Sequence, residues 1–415
     1  MKVFFVTYGC SYNQEDTEIM KQLLKYEIVN SIEECDIIVV NGCIVKNPTE
    51  NKIHRFIQDH NDKKIVIAGC YGQVNHEKYK NYTVIGTNTI DKINEAVESA
   101  FNDKNKHFIS DNKLDKCKLI KANNNIIQIV PIAEGCVGCC SYCAVKFART
   151  NLKSCSIENI IRIIDNALNK GTKEIWLTSQ DNGCYGHDIN TNIVELLEKI
   201  LSEFKDKEFF IRLGMMNPNF ALEYIDELVE IFKDNHMYKF VHLPVQSGNN
   251  RILESMNRKY KVEDFVKVVE KLKTIEDMTI ATDIIVGFPT ESEKEFNDTY
   301  ELIKKLRLNI VNISRYWKKK NTKASEMQQI NAKDIMKRSK KLHDLMDDIS
   351  KQNNKHWLNW IGYILVNEKG HNKEDYWGRN IAYKNVLVKN TPIGKKIKVK
   401  ITKTLGHYLI ADVLE

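Results

Sequence analysis

No apolar run in this sequence approaches the about 20 residues that a membrane-crossing helix needs, which excludes a helical membrane protein. No small-residue cleavage site follows the short apolar start Met1-Lys2-Val3-Phe4-Phe5-Val6-Thr7-Tyr8. That start is therefore expected to be a first strand rather than a signal peptide, and the chain is expected in the cytoplasm. A charge surplus is missing from most of the chain. Residues 351–415 hold twelve Lys or Arg against five Asp or Glu, which accounts for the whole net charge of +7. Such a one-sided tail points to a polyanionic partner for that domain. Cysteine is not scarce. Eleven of them in a chain without a secretory signal point to metal or redox chemistry rather than disulfides. The 415 residues suffice for roughly two to four domains, each with its own core.

Nine residues organise the rest: Gly135-Cys136-Val137-Gly138-Cys139-Cys140-Ser141-Tyr142-Cys143. Cys136, Cys140 and Cys143 form a C-x3-C-x2-C trio. Zinc sites build from separated cysteine pairs, whereas these thiols are crowded into eight residues. Three thiolates at this spacing suit three corners of a cubane iron–sulfur cluster and leave the fourth iron open to a small molecule. Cys139, beside Cys140, cannot reach the same cluster corner and reads as a bystander. The stretch, with Glu134 before it and Lys146-Phe147-Ala148-Arg149 after it, resembles the signature of radical S-adenosylmethionine (SAM) enzymes.

Residues 1–102 alternate short apolar strands with helical stretches. Strands are predicted at 2–8, 36–41, 64–68 and 83–85, and helices at 13–26, 48–60 and 92–101. This is the pattern of a doubly wound parallel sheet. Cys10, Cys43 and Cys70 each follow a Gly at the carboxyl end of a strand. Open α/β sheets bind ligands beyond those ends, so the three cysteines are expected to converge on a second three-thiol site. Cys35, ahead of its strand, reads as core. Residues 103–124 are polar and read as a linker of low order, with Cys117 lacking any partner pattern.

From 125 to 352 six strand–helix units follow, with strands at 126–132, 173–178, 209–213, 240–244, 279–286 and 309–314. Helices are expected at 157–170, 192–204, 220–234, 262–275 and 293–306. Six units predict a partial parallel barrel, open on one side, with polar residues gathered at the strand ends. Residues 353–415, after a charged helix at 332–354, read as a small all-β barrel. There the alternation Lys396-Ile397-Lys398-Val399-Lys400-Ile401 sets lysines against branched apolars, and Tyr376, Trp377 and Tyr383 suit base stacking.

The motifs Tyr8-Gly9-Cys10, Asn41-Gly42-Cys43, Gly69-Cys70, Gln180-Asp181, Gln246-Ser247-Gly248, Met256-Asn257-Arg258-Lys259-Tyr260 and Thr282 to Glu291 resemble the radical-SAM methylthiotransferases over nearly the whole chain. Arg212–Pro218 resembles the members that act on threonylcarbamoyladenosine in tRNA; isopentenyladenosine in tRNA and a ribosomal protein are the family's other substrates. The resemblance implies two [4Fe-4S] clusters, one on Cys136, Cys140 and Cys143 and an auxiliary one on Cys10, Cys43 and Cys70. It implies SAM cleaved to a 5′-deoxyadenosyl radical, methylthiolation at C2 of the base, and no protein general base. Tyr142, Gly287 and Phe288 would flank the adenine of SAM, and Gln180, Arg212 and Gln246 would touch SAM or substrate. The C-terminal barrel resembles the TRAM domain, which implies tRNA as partner, with a reductant such as ferredoxin or flavodoxin and a sulfur source besides. A non-catalytic iron–sulfur RNA-binding protein is the rival from another class. The chain departs from the family at Cys139, at Thr150 and at Trp317-Lys318-Lys319-Lys320-Asn321-Thr322, which reads as a drifting exposed loop.

Overall fold

The structure, a computed structural model, describes residues 1–414. Its first sheet has six parallel strands in the order Glu27–Ile28, Lys2–Tyr8, Ile37–Gly42, Lys64–Ala68, Thr83–Ile85 and His107–Phe108. Central strands of parallel sheets are buried on both faces. Here every residue of Ile37–Gly42 is buried. Ile37 and Val39 pack with Ile19 and Met20 of helix Ser11–Leu23 and with Ile93 and Val97 of helix Ile93–Phe101. Ile38 and Val40 pack with Ile53 and Ile57 of helix Asn47–Asp59 on the other face. Each such side chain contributes about 1.5–3 kcal/mol of burial. Two covered faces make the sheet doubly wound, as the alternation predicts.

The low order expected of 103–124 is not found. His107–Phe108 extends the first sheet, and Lys116 is buried between two carboxylates. Cys117, without a partner pattern in sequence, forms a disulfide with Cys155, their Cα atoms 5.8 Å apart. These partners lie 18 to 100 residues away, beyond the reach of local composition.

The middle of the chain forms two three-stranded parallel sheets, 127–131, 174–178 and 210–213, then 240–242, 279–286 and 310–315. They meet where the Met216 N–H donates to the His242 carbonyl at 3.0 Å and Ile211 bridges Met237. Among the described residues the outer strands 127–131 and 310–315 do not pair, so the barrel stays open on one side. The predicted helix over 220–234 is two helices, Pro218–Glu223 and Ile225–Lys233, broken at Tyr224. A helix at Asn250–Ser255, which the apolar pattern does not show, is capped by the Asn249 side chain accepting from the Ile252 N–H at 3.2 Å. Helix Ala332–Lys355 packs against strand Ile310–Arg315.

The tail is a closed barrel in the order Ile361–Lys369, Asp375–Arg379, Asn385–Lys389, Leu409–Val413 and Lys396–Thr404. Ile397, Val399 and Ile401 point inward, and the lysines between them face out. Tyr383 departs from its expected role as an exposed stacking aromatic. Its ring packs 4.8 Å from Tyr238 and 4.9 Å from Phe240, inside the central barrel. No helix among the described residues is long and apolar enough to cross a membrane.

Candidate functional site

The Cys136–Cys143 loop is pinned on every side by polar contacts. Gly135 has φ +88°, and a Cβ there would collide with the Asn151 carbonyl, so only glycine fits. Its N–H donates to Gln180 Oε1 at 2.5 Å. The Gly138 N–H points at Cys136 Sγ at 3.1 Å. The Ser141 N–H and hydroxyl donate to the carbonyls of Met256 and Ser255 at 3.0 and 2.8 Å. Arg258 Nη1 lies 3.2 Å from Cys140 Sγ, and its other nitrogen donates to Asn217 Oδ1. A hydrogen bond from Cys184 lowers the Cys136 thiol pKa, while burial pushes Cys143 up to about 11, aided by the neighbouring Cys140. Cys184 thus touches the trio at Cys136, with Asp181 completing a group whose ligand atoms lie within 4.8 Å of one another.

The second trio gathers at the strand ends of the first sheet. Cys10 caps helix Ser11–Leu23, and the Cys43 N–H donates to the Tyr8 carbonyl at 2.8 Å. Cys70 is the second residue of the short helix Gly69–Asn75, whose first residue has φ +76°. Burial pushes the Cys43 thiol up to about 12, and Cys70 and Cys10 raise it further by their charge. Burial also raises Cys70, which Arg149 opposes and Cys10 reinforces. Cys43 therefore lies in the field of both others, and Cys70 in that of Cys10. None of the six cysteines is in a disulfide.

A buried charge network touches the second trio at Cys70 and includes Glu134, two residues before Cys136. Arg149 is 2 % exposed and donates to Asp16, to Glu134 and, from Nε, to Cys70 Sγ at 3.3 Å. Lys116 donates to the same two carboxylates at 2.9 and 3.0 Å. Both cations lie over the Tyr12 ring. Burial alone would raise the Glu134 carboxyl, but Lys116 and Arg149 outweigh it and hold the pKa down. Two cations and two carboxylates balance, which is the condition for burying such a set.

Five of the six predicted SAM or substrate contacts sit around the first trio or at the strand ends near it. Tyr142 meets Phe288 edge-on at 6.3 Å, in a cluster with Ile252, Met256 and Tyr316. Gly287 has φ +75° and donates to Glu291 Oε2 at 3.0 Å. Gln246, at φ +69°, bonds through its backbone N–H to the Asp283 carbonyl at 2.8 Å. Gln180 is described above. Arg212 stands apart, lower in the barrel, over Trp176 and Phe240.

Arg258, Arg149, Lys116, Asp16 and Asn217 carried no role in the sequence reading. Arg258, Arg149 and Asn217 lie inside family-like motifs, which was their one signal; Lys116 and Asp16 declare themselves only through partners far along the chain. Asp181, buried, accepts from the Gly183 and Asn217 N–H groups at 3.1 Å each and so ties two strand ends together. The loop 317–322 is not a free surface loop. Lys319 is 8 % exposed and pairs with Glu50 and Asn47 of the N-terminal unit.

The chain matches three family models: the uncharacterized protein family UPF0004 over residues 2–86, the radical SAM superfamily over 130–303 and the TRAM domain over 363–414. It is 39% identical, over the full length of both chains, to a probable threonylcarbamoyladenosine tRNA methylthiotransferase of Pyrococcus horikoshii. The corresponding protein of Archaeoglobus fulgidus is 41% identical over 100% of this chain and 99% of its own. The human threonylcarbamoyladenosine tRNA methylthiotransferase is 34% identical over 98% of this chain and 73% of its own. Among solved structures, the radical SAM methyltransferase TsrM of Kitasatospora setae superposes with TM-score 0.56 at 11% identity, over 78% of this chain and 77% of that one. That likeness supports the fold alone.

Proposed function

The chain belongs to the threonylcarbamoyladenosine tRNA methylthiotransferases, radical-SAM enzymes by their central unit, and we propose that it replaces the hydrogen on C2 of N6-threonylcarbamoyladenosine at position 37 of tRNA with a methylthio group. The observation that carries the reading is the pair of disulfide-free cysteine trios, one contacted by a buried arginine at Cys70 and the other by an arginine at Cys140.

The donor sets fit two clusters. Each offers three thiols, so each cluster keeps one iron open. Gly138 lies where any Cβ would stand 3.2 Å from Cys136 Sγ and 3.9 Å from Cys140 Sγ, so glycine clears that space. Cys136, Cys140 and Cys143 would hold the SAM cluster, and Cys10, Cys43 and Cys70 the auxiliary one. When bound, these clusters and SAM supply one-electron chemistry at an unactivated C–H bond and the sulfur and methyl group that replace the hydrogen.

The chain's own residues bind, orient and shield. Arg258 points an N–H donor at Cys140, and the one Arg149 points at Cys70 opposes the rise that burial gives that thiol. Tyr142 and Phe288 offer an apolar wall for an adenine, and Gln180 fixes the entry of the first loop. Asp181 and Asn217 lock the strand ends beneath it. The lysine face of the C-terminal barrel supports tRNA backbone binding. On this reading residues 1–102 carry the auxiliary trio, 125–352 the SAM site and 353–415 the RNA-binding barrel. A ferredoxin- or flavodoxin-like reductant, a sulfur source and a cytoplasmic setting complete it.

The test is nucleoside mass spectrometry of tRNA after anaerobic incubation with the cluster-loaded protein, SAM, sulfide and reductant. A methylthio mass gain on threonylcarbamoyladenosine is expected. Cys140→Ala is expected to abolish SAM cleavage, whereas Cys43→Ala keeps some cleavage without sulfur insertion. Normal insertion by Cys43→Ala would defeat the two-cluster assignment. SAM cleavage without a product on this nucleoside would point to another substrate of the family.

A further inference from the structure

A cavity of about 650 Å³ runs between the inner face of the central barrel and the C-terminal barrel. That volume suits a nucleoside-sized ligand. At one end it is lined by Lys46, three residues beyond Cys43. His242 also lines it and pairs with Asp283 at 3.0 Å. Deeper, it is lined by Arg212 from strand Phe210–Leu213 and by Arg379 and Lys384 from the C-terminal barrel.

Neither arginine is ion-paired among the described residues, and the Nε of each is shielded from solvent without a hydrogen-bond partner. Both guanidiniums stand over the same ring, Tyr383, at 5.7 and 4.5 Å. Glu174, the carboxylate whose charge they feel, is bonded instead to Trp176 Nε1 and Asn367 Nδ2, each at 2.7 Å. Lys384 adds a third cation, and burial pushes its pKa down to about 8. Both residues are half-buried, and a pair of guanidiniums facing one cavity with no carboxylate bonded to either is a receptor for a forked anion. Two sources can deliver one: a carboxylate on the substrate's side chain, or a tRNA phosphate.

Resting on the substrate reading above, we infer that Arg212 and Arg379 form the subsite for the carboxylate of the threonylcarbamoyl group, and so distinguish this base from one bearing an uncharged N6 substituent. Lys46, near Cys43, and the two arginines line the same cavity, so a purine held at the Lys46 end would extend its N6 substituent toward the arginines. A phosphate is bound by shape-blind charge and suits the exposed lysine face better than a recess walled by Trp176, Phe240 and Tyr383.

The test compares binding of the full-length protein to three anticodon stem-loops by fluorescence anisotropy. One carries threonylcarbamoyladenosine, one its methyl ester and one unmodified adenosine. Wild type is expected to bind the free acid about tenfold or more tightly than the other two. Arg212→Gln and Arg379→Gln are expected to remove that preference while leaving the unmodified loop's affinity in place, and Arg379→Lys to keep part of it. The ester arm needs no variant, so misfolding cannot mimic the result. Equal weakening of all three loops by the variants would mean a phosphate contact and overturn the inference. So would a wild type that converts the tRNA yet binds acid and ester alike. A wild type with neither preference nor conversion, with both clusters loaded, would refute the substrate reading itself.

Discussion

Replacing Arg149 by methionine keeps most of its volume and removes one of four charges from the network beneath the trios. Asp16 and Glu134 are then left with Lys116 alone, in a site where the side chains are 1 to 5% exposed. Breaking a buried pair from one side costs about 3–5 kcal/mol, because the remaining charge is neither solvated nor matched. The exposed pair Lys199–Glu203, 2.9 Å apart with side chains 53% and 45% exposed, supplies the control. Its loss costs about 0.3–0.5 kcal/mol. The readout is hydrogen exchange of the Ile37–Gly42 strand in cluster-free protein, which reports the opening of that sheet. Arg149→Met is expected to lower protection by roughly two to three and a half decades, and Lys199→Met by less than half a decade. The second arm adds Glu134→Gln to Arg149→Met, which removes the orphaned charge and is expected to restore part of the loss. The pH dependence has a definite sign. Glu134 is held below the usual carboxylate range by its two cations, so in wild type its contribution is present above about pH 4.3 and lost as pH falls through the lowered value. In Arg149→Met burial gains ground on the remaining cation and the carboxyl protonates more readily, so the deficit is expected to shrink from pH 8 to pH 5. A loss of protection below tenfold, or a deficit that grows toward acid, would refute this account of the network.

Glu15 gives the opposite case. It is 1 % exposed, its Oε1 has no partner, and burial, then the charges of Glu18 and Asp16, raise its pKa well above the usual range. Its stability contribution is full below about pH 4.3 and declines as pH rises toward the folded value. Glu15→Gln is therefore expected to stabilise the protein at pH 8 by about 1–3 kcal/mol and to gain nothing at pH 4. Thermal melts at the two pH values check it, and an equal effect at both would contradict it. Gly135→Ala is expected to displace the Cys136 loop, since φ is +88° and the Asn151 carbonyl stands where the methyl must go. Iron and sulfide analysis of the reconstituted variant should find one cluster where wild type binds two.

Much of this fold is legible because its signals are local. Strands Lys2–Tyr8, Lys64–Ala68 and Thr279–Val286 end where the apolar runs end, and glycine before cysteine marks the three turns of the auxiliary trio. Helix Gly69–Asn75 is hidden, because two glycines in seven residues argue against a helix that tertiary packing nevertheless imposes. The site is legible in its thiols and illegible in its charges. Nothing within ten residues of Arg149 or Lys116 says that each is buried; the partners that bury them sit on other elements. Tyr383 misleads for the same reason, since an aromatic in a basic barrel reads as a base-stacking platform until the neighbouring barrel is seen to receive it.

The network also sets a timetable for synthesis. Asp16 belongs to the first helix to leave the ribosome, yet its partner Arg149 is 133 residues behind it. At about 5–20 residues per second the interval is roughly 7 to 27 seconds. For the first part of that interval Asp16 has neither cation; Lys116, 100 residues behind it, emerges before Arg149 and pairs with it first. Helix Ser11–Leu23 can bury its carboxylate against both cations only once the first cysteine loop has emerged. The charge network beside Cys70 is thus completed only after Cys136, Cys140 and Cys143 have emerged, although Cys10 precedes Cys136 by 126 residues.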